Sequence, residues 1–282
     1  MIGRPNWPPD ALIEKIWEEH HQPLVALYDL MADVGQALRK LPEGWQPRSA
    51  QKVVVLHLFV RAYKTTQAAY TLFSSGFAQD AQSLLRGLTE GVIDMFYILR
   101  KPGTRGRQFA DYIVIGKRDW MRRMEKAFHE YPIPPHVMKK VEAEYTALLS
   151  RRPNYKGLTR SWSSEGIAER ARDGNCKNLY FYYVLACQML HTDPRSVHSY
   201  LRVGEGMDDG PSMPTTEERK TLEIAYVCLL DAFNASNGVF KWHRGDLVKE
   251  YKGRFRREFG DKASPARTQA IHRTAPGAVT TP

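Results

Sequence analysis

Residues 84–99 read LLRGLTEGVIDMFYIL, and their spacing decides the fold. At about 100° per residue, Leu85, Leu88, Val92, Met95, Phe96 and Leu99 fall on one broad helix face. Arg86 and Glu90 are four apart, so they lie side by side. Ile93 and Tyr97 share their sector, which sets the pair at the edge of the apolar arc and not on an open polar face. A half-buried Arg–Glu pair has two readings. One is an ion pair that orients two helices. The other is a guanidinium and a carboxylate preorganised in the wall of a cleft.

The same helical period extends outward through almost the whole chain. A first helix is expected from Pro8-Pro9-Asp10 to about Leu41, kinked or divided by Pro23. Ser49 caps a second, about 50–74, whose Val53-Val54-Val55-Leu56 start suits a central helix. Further helices are expected at about 78–100, 104–131 and 135–151. Residues 152–162 read as a loop, followed by a short helix at about 164–173 and an aromatic-rich one at about 176–191. A brief helix from Pro194 to Leu201 precedes a loop from Gly204 to Pro214. Thr215 or Thr216 caps a long helix to about Phe240, and a basic amphipathic helix covers 245–259. No strand pair is signalled. The sum is an all-α multi-helix bundle, seven to nine helices around one core, forming a single domain over 1–260. From Asp261 the Ala, Thr, Pro and Gly composition predicts a disordered tail, 261–282.

The 282 residues are 43% apolar and 26% charged, which excludes collagen, a coiled-coil rod and a wholly disordered chain. Three cysteines, Cys176, Cys187 and Cys228, are odd in number and lack metal-ligand spacing. A reducing cytoplasm is the expected setting. No secretory signal or membrane span is expected, because a span needs roughly 20 apolar residues. With 41 Lys and Arg against 31 Asp and Glu, the net charge is +10. The excess sits in three stretches, net +6 over 100–126, +5 over 151–202 and +4 over 241–262. Such concentration suits an anionic partner such as RNA, DNA or a nucleotide, and it equally suits solvated helix faces.

On the aromatic helix, Tyr183, Cys187 and His191 are spaced four and four and stack along one face. Asp193 is a natural cap for Pro194, so His191 stands at a sharp junction with Arg195 close by. A histidine there is either a proton carrier near neutral pH or a hydrogen-bonded hinge.

The stretch Ala186–Val197 resembles a signature of a bacterial family of domains of unknown function, the 5677 type. That signature is Ser-x-x-Val-His-Gly-x-x-Arg after a Tyr-rich helix. Its earlier Leu-x-Arg-x-x-x-Glu helix is matched by Leu84 to Glu90, followed by Tyr97-Ile98-Leu99. Trp162 with Ile167 and Ala168 resembles the segment before the Tyr-rich helix. The resemblance covers about 50–200. Cys187 stands where the family has Ser, and Thr192 where it has Gly. It implies an all-helical fold similar to nucleotide-binding and ribonuclease-type domains of toxin and phage-defence systems. It points to Arg86, Glu90, His191 and Arg195.

No phosphate-binding glycine loop, zinc motif or di-iron motif is present, so no cofactor and no metal is expected. Two principal functions remain open. One is an RNA-directed protein, a metal-independent ribonuclease in its sharpest form. There His191 is base or acid, Arg86 and Arg195 hold the phosphate, and Glu90 orients Arg86. Arg122 and Arg123, ahead of His129, form a weaker anion site, and the Arg-to-His spacing behind it occurs about as often as chance allows. The other is a non-catalytic helical module, binding a protein partner or itself as a homodimer, whose Arg86–Glu90–His191 cluster only fixes packing. A small-molecule pocket lined by Tyr180, Tyr183 and Trp162 is a third, against a plain core role for those rings.

Overall fold

Pro23 has no N–H to give the carbonyl of Glu19, and its ring crowds that turn. The first helix, α1 (Asp10–Arg39), accordingly bends where His20 takes φ −116° and ψ 18°. The His20 backbone is non-helical, so two helical stretches meet there at a kink within α1. Burial holds the His20 imidazole below its usual range, and both ring nitrogens are buried without a partner. The computed structural model describes residues 9–41, 49–128, 130, 132–158, 161–190, 201–202, 206–207, 214 and 219–260.

Ser49 is extended, and its hydroxyl accepts from the Lys52 N–H at 3.3 Å, which starts α2 (Ala50–Ser74). Gly76, at φ 83°, ends it: the Phe77 N–H reaches back to the Leu72 carbonyl at 2.8 Å. That reversal lays α3 (Ala78–Arg100) antiparallel along α2. Leu85, Leu88, Val92 and Met95 are buried, as their spacing predicts, with Phe96 and Leu99 packed against them.

Beyond α3 come α4 (Pro102–Ala127), α5 (Pro135–Arg151), a 3-10 turn (Pro153–Gly157), α6 (Ile167–Asp173) and α7 (Lys177–Leu190). Then follow α8 (Lys220–Phe240), α9 (Gly245–Phe255) and a π-helical turn (Arg256–Gly260). The described residues thus form nine α-helices, and the fold is all-α. One apolar core joins α1, α2, α3, α6, α7, α8 and α9. A smaller cluster of Ile115, Leu148, Tyr155 and Leu158 ties α4 to α5 and to the 3-10 turn.

Some expected boundaries move. Helix α4 stops at Ala127, short of Tyr131, with the Phe128 N–H closing the last turn on the Met124 carbonyl at 2.8 Å. Leu201–Arg202 and Gly206–Met207 pair as an antiparallel ladder, where no strand was expected. Two residues per strand are too few for an alternating pattern to register. Val53, expected inside a central helix, is exposed, because the α2 start buries only Val54 and Val55. The expected 194–201 helix lies outside the described residues up to its last position, Leu201, which is in the ladder. The Thr215 or Thr216 cap and the 261–282 tail lie outside them entirely.

Candidate functional site: a polar cleft over a buried ion pair

Helix α3 carries a polar row four residues apart, Arg86, Glu90 and Asp94, along the edge of its apolar arc. Short α6 lies across this row. It gets there because Gly174 has no side chain: a Cβ would stand 3.1 Å from the Tyr97 nitrogen and 3.0 Å from the Arg170 carbonyl. Arg105 fastens the same end, stacked on the Tyr97 ring, donating to the Tyr97 carbonyl at 2.8 Å and paired with Asp173.

Arg170 of α6 is thereby driven onto α3. Its Nη1 donates to Asp94 Oδ1, and its Nη2 lies 3.5 Å from Glu90 Oε1. Trp162 Nε1 donates to the other Asp94 oxygen at 3.0 Å. The Trp162 ring is wedged edge-on between Tyr97 and Phe109, and Gln108 donates to its carbonyl at 2.8 Å. Side-chain exposure is 6% for Arg170, 8% for Asp94 and 39% for Glu90. Asp94 and Arg170 therefore form an interior lock, and Glu90 is its solvent-facing edge. Burial pushes the Asp94 carboxyl up to about 7, against the opposing pull of Arg170 and Trp162.

A pH dependence follows. Below about pH 4 Asp94 is protonated in both the folded and the unfolded chain. Between about 4 and 7 the unfolded chain loses that proton while the folded one keeps it, so this group's contribution to stability declines as pH rises. Chemical denaturation of the wild type and Asp94→Asn at several pH values checks this. The wild type should lose ground to the variant as pH climbs, at most by about 1.4 kcal/mol per pH unit. A pH-independent difference between the two contradicts the assignment.

Above the lock opens a cavity of ≈ 550 Å³. One wall is the turn carrying Ser161, Ser163 and Ser164, in which the Ser163 hydroxyl accepts from the Glu165 N–H at 3.1 Å. Glu90 and Glu165 add carboxylates, and Tyr183 of α7 adds an aromatic ring. Arg170 lines the floor, and its Nε is buried without a partner. Beside Tyr183, the Arg86 guanidinium lies 6.0 Å from the ring centroid. Its hydrogen bond with the Tyr183 hydroxyl raises the Arg86 pKa, and burial raises that of Tyr183.

The structure thus brings together Arg86, Glu90 and Tyr183, but with other partners than the spacing suggested. Glu90 takes its ion pair from Arg170, and Arg86 lies beside the Tyr183 ring. Trp162 lies beneath the cavity as a buried wedge, and Tyr180 stacks on Tyr183 at 6.2 Å, so of the three rings Tyr183 alone lines the cavity. Arg122 and Arg123 sit on α4, paired with Glu142 at 2.8 Å and Asp119 at 3.7 Å, and neither lines the cavity. His191, Arg195 and His129 lie outside the described residues. Asp94, Arg170 and the three serines were not singled out from sequence. Asp94 had a signal, the continuation of the Arg86, Glu90 row; Arg170, 76 positions from Asp94, had none.

No group of three or more His, Cys, Asp or Glu side chains suited to a metal ion occurs among the described residues. None of their helices is long and apolar enough to cross a membrane. What the geometry defines is an all-helical protein with a polar cleft built on a buried ion-pair lock. A family model described as "Family of unknown function (DUF5677)" matches residues 52–209, from the start of α2 through α7, and the chain belongs to that family. The matched span contains every lock and cleft residue named above. No curated protein and no solved structure matches the chain.

Proposed function

We propose that the cleft binds one nucleotide unit of an RNA chain and that the protein is RNA-directed. The observation that carries this reading is the composition of the cleft, whose volume falls in the range of ordinary ligand pockets. Serine hydroxyls and the Glu90 and Glu165 carboxylates suit sugar hydroxyls and base edges, which both donate and accept. The Tyr183 ring offers a face for a base. Arg86, beside the cleft-lining Tyr183 ring, supplies a cation to pair with a phosphate.

A metal-independent ribonuclease adds one step. A base takes the proton of the 2′-hydroxyl, the 2′-oxygen bonds to phosphorus, the bond from phosphorus to the 5′-oxygen breaks, and an acid protonates that oxygen. In this reading Arg86 neutralises the charge on phosphorus, and His191, next after the last residue of α7, is the proton carrier. The non-catalytic alternative draws its support from the lock: side chains as buried as Asp94 and Arg170 suit a packing role.

Binding of a ribonucleoside 3′-monophosphate and cleavage of a single-stranded RNA, each beside a thermal melt, test the reading. Arg86→Ala should weaken binding roughly 10- to 100-fold, the range of a hydrogen bond to a charged group, with an unchanged melt. His191→Ala should abolish cleavage. No binding by the wild type would leave the packing role alone standing.

A further inference from the structure

Helix α4 has an outer face that the cleft does not use. Inward it buries Ile115 and Met121, and Arg118 stacks on Tyr145 of α5, its centre 3.9 Å from the ring centroid. Outward, Trp120 is 61% exposed and Ile113, one heptad earlier on the same face, is exposed too. Lys117 and Arg123 stand three residues either side of Trp120, and so flank its ring on the helix surface. Their ion pairs are long, Lys117 to Glu144 at 3.9 Å and Arg123 to Asp119 at 3.7 Å. Exposed pairs of this kind stabilise little and give way readily to another anion. Over its length α4 carries seven cationic and three anionic side chains.

We infer that this face is a second contact region for single-stranded RNA, with a base stacked on Trp120 and backbone phosphates on Lys117 and Arg123. Aromatic rings interleaved with cations are the usual platform for single strands, because every base has a flat face to stack and every linkage a charge to neutralise. The charge argues against a second copy of this chain as occupant, since self-association would bring like-charged rims together. The choice of RNA rests on the reading of the cleft, whose hydroxyl and carboxylate lining is what would contact the 2′-hydroxyl. The platform is a separate contact region on the same protein, and the cleft contains no α4 residue.

The test is fluorescence anisotropy with a labelled 12-nucleotide uridine RNA, across a salt series, beside titration of the ribonucleoside 3′-monophosphate. Trp120→Ala should weaken RNA binding by about tenfold or more, and Trp120→Phe should retain most of it. Lys117→Glu with Arg123→Glu should flatten the dependence of log affinity on log salt by about 1.4. All three variants should bind the monophosphate like the wild type, because it is too small to leave the cleft. RNA affinity that falls in Arg86→Ala but not in Trp120→Ala overturns the platform and leaves the cleft standing. RNA affinity that falls in Trp120→Ala while the wild type ignores the monophosphate keeps the platform and overturns the cleft. A wild-type dimer that Trp120→Ala turns into a monomer in sedimentation makes the face a self-association surface and overturns the inference.

Discussion

Above about pH 7, where Asp94 is ionised against Arg170, Asp94→Ala should lower stability by about 3 kcal/mol, at the lower end of what removing one member of a buried pair costs. The substitution strips Arg170 of its main partner while its side chain stays 6% exposed. It also leaves the Trp162 N–H with no acceptor. Glu90, 3.5 Å from the other guanidinium nitrogen and half in solvent, offsets part of the loss. In a chain of this size the melting temperature should fall by roughly 6–12 °C. Asp94→Asn keeps one acceptor oxygen, for Arg170 or for Trp162 but not for each in its own place, and should cost less than Asp94→Ala. Replacing Asp94 and Arg170 together by apolar residues should recover most of the loss, since the penalty lies in the unpaired charge and not in a missing net attraction. A double variant as unstable as Asp94→Ala would contradict the lock.

Trp162→Ala should be at least as damaging, about 3–5 kcal/mol, the usual range for deleting a large buried ring. The ring is 7% exposed and fills the space between Tyr97 and Phe109. Its loss leaves a void beneath the serine turn, so nucleotide binding should fall together with stability. Trp162→Phe separates the two contributions. It keeps most of the ring contact and removes only the hydrogen bond to Asp94, for a loss of about 1–2 kcal/mol. Denaturant titration measures both. A Phe variant as unstable as the Ala variant would place the weight on the hydrogen bond instead of the packing.

Much of the fold could be read from residue spacing because helical order is local. The Leu85-to-Leu99 arc, the Ser49 cap and the Pro23 bend each depend on residues within a turn or two of one another, and the structure contains each of them. The candidate site was legible only in half. Arg86, Glu90 and Tyr183 lie on amphipathic helices whose polar edges the spacing exposes. Their partners do not. Arg170 reaches Asp94 across 76 positions, through a close approach at Gly174 that no periodicity encodes. The pairing of Glu90 with Arg170 is a consequence of where α6 lands, so the intrahelical spacing of Arg86 and Glu90 named neighbours and not partners. Spacing leaves Trp162 open between pocket lining and core, because an aromatic in a loop carries no label for inside or outside; its indole N–H donates to a buried carboxylate, and the ring supports the floor.

The lock and the cleft are adjacent and are expected to do different work: the Asp94–Arg170 pair supports the fold, and Arg86, beside Tyr183, is proposed to meet the ligand. The most direct test is the affinity of Arg86→Ala for a ribonucleoside 3′-monophosphate, measured by calorimetry on protein whose melting temperature is known. The account predicts roughly 10- to 100-fold weaker binding at a wild-type melting temperature, the effect of losing a charged hydrogen bond to the ligand alone. Unchanged affinity, or a melt lowered as far as that of Asp94→Ala, would contradict it and make Arg86 part of the packing.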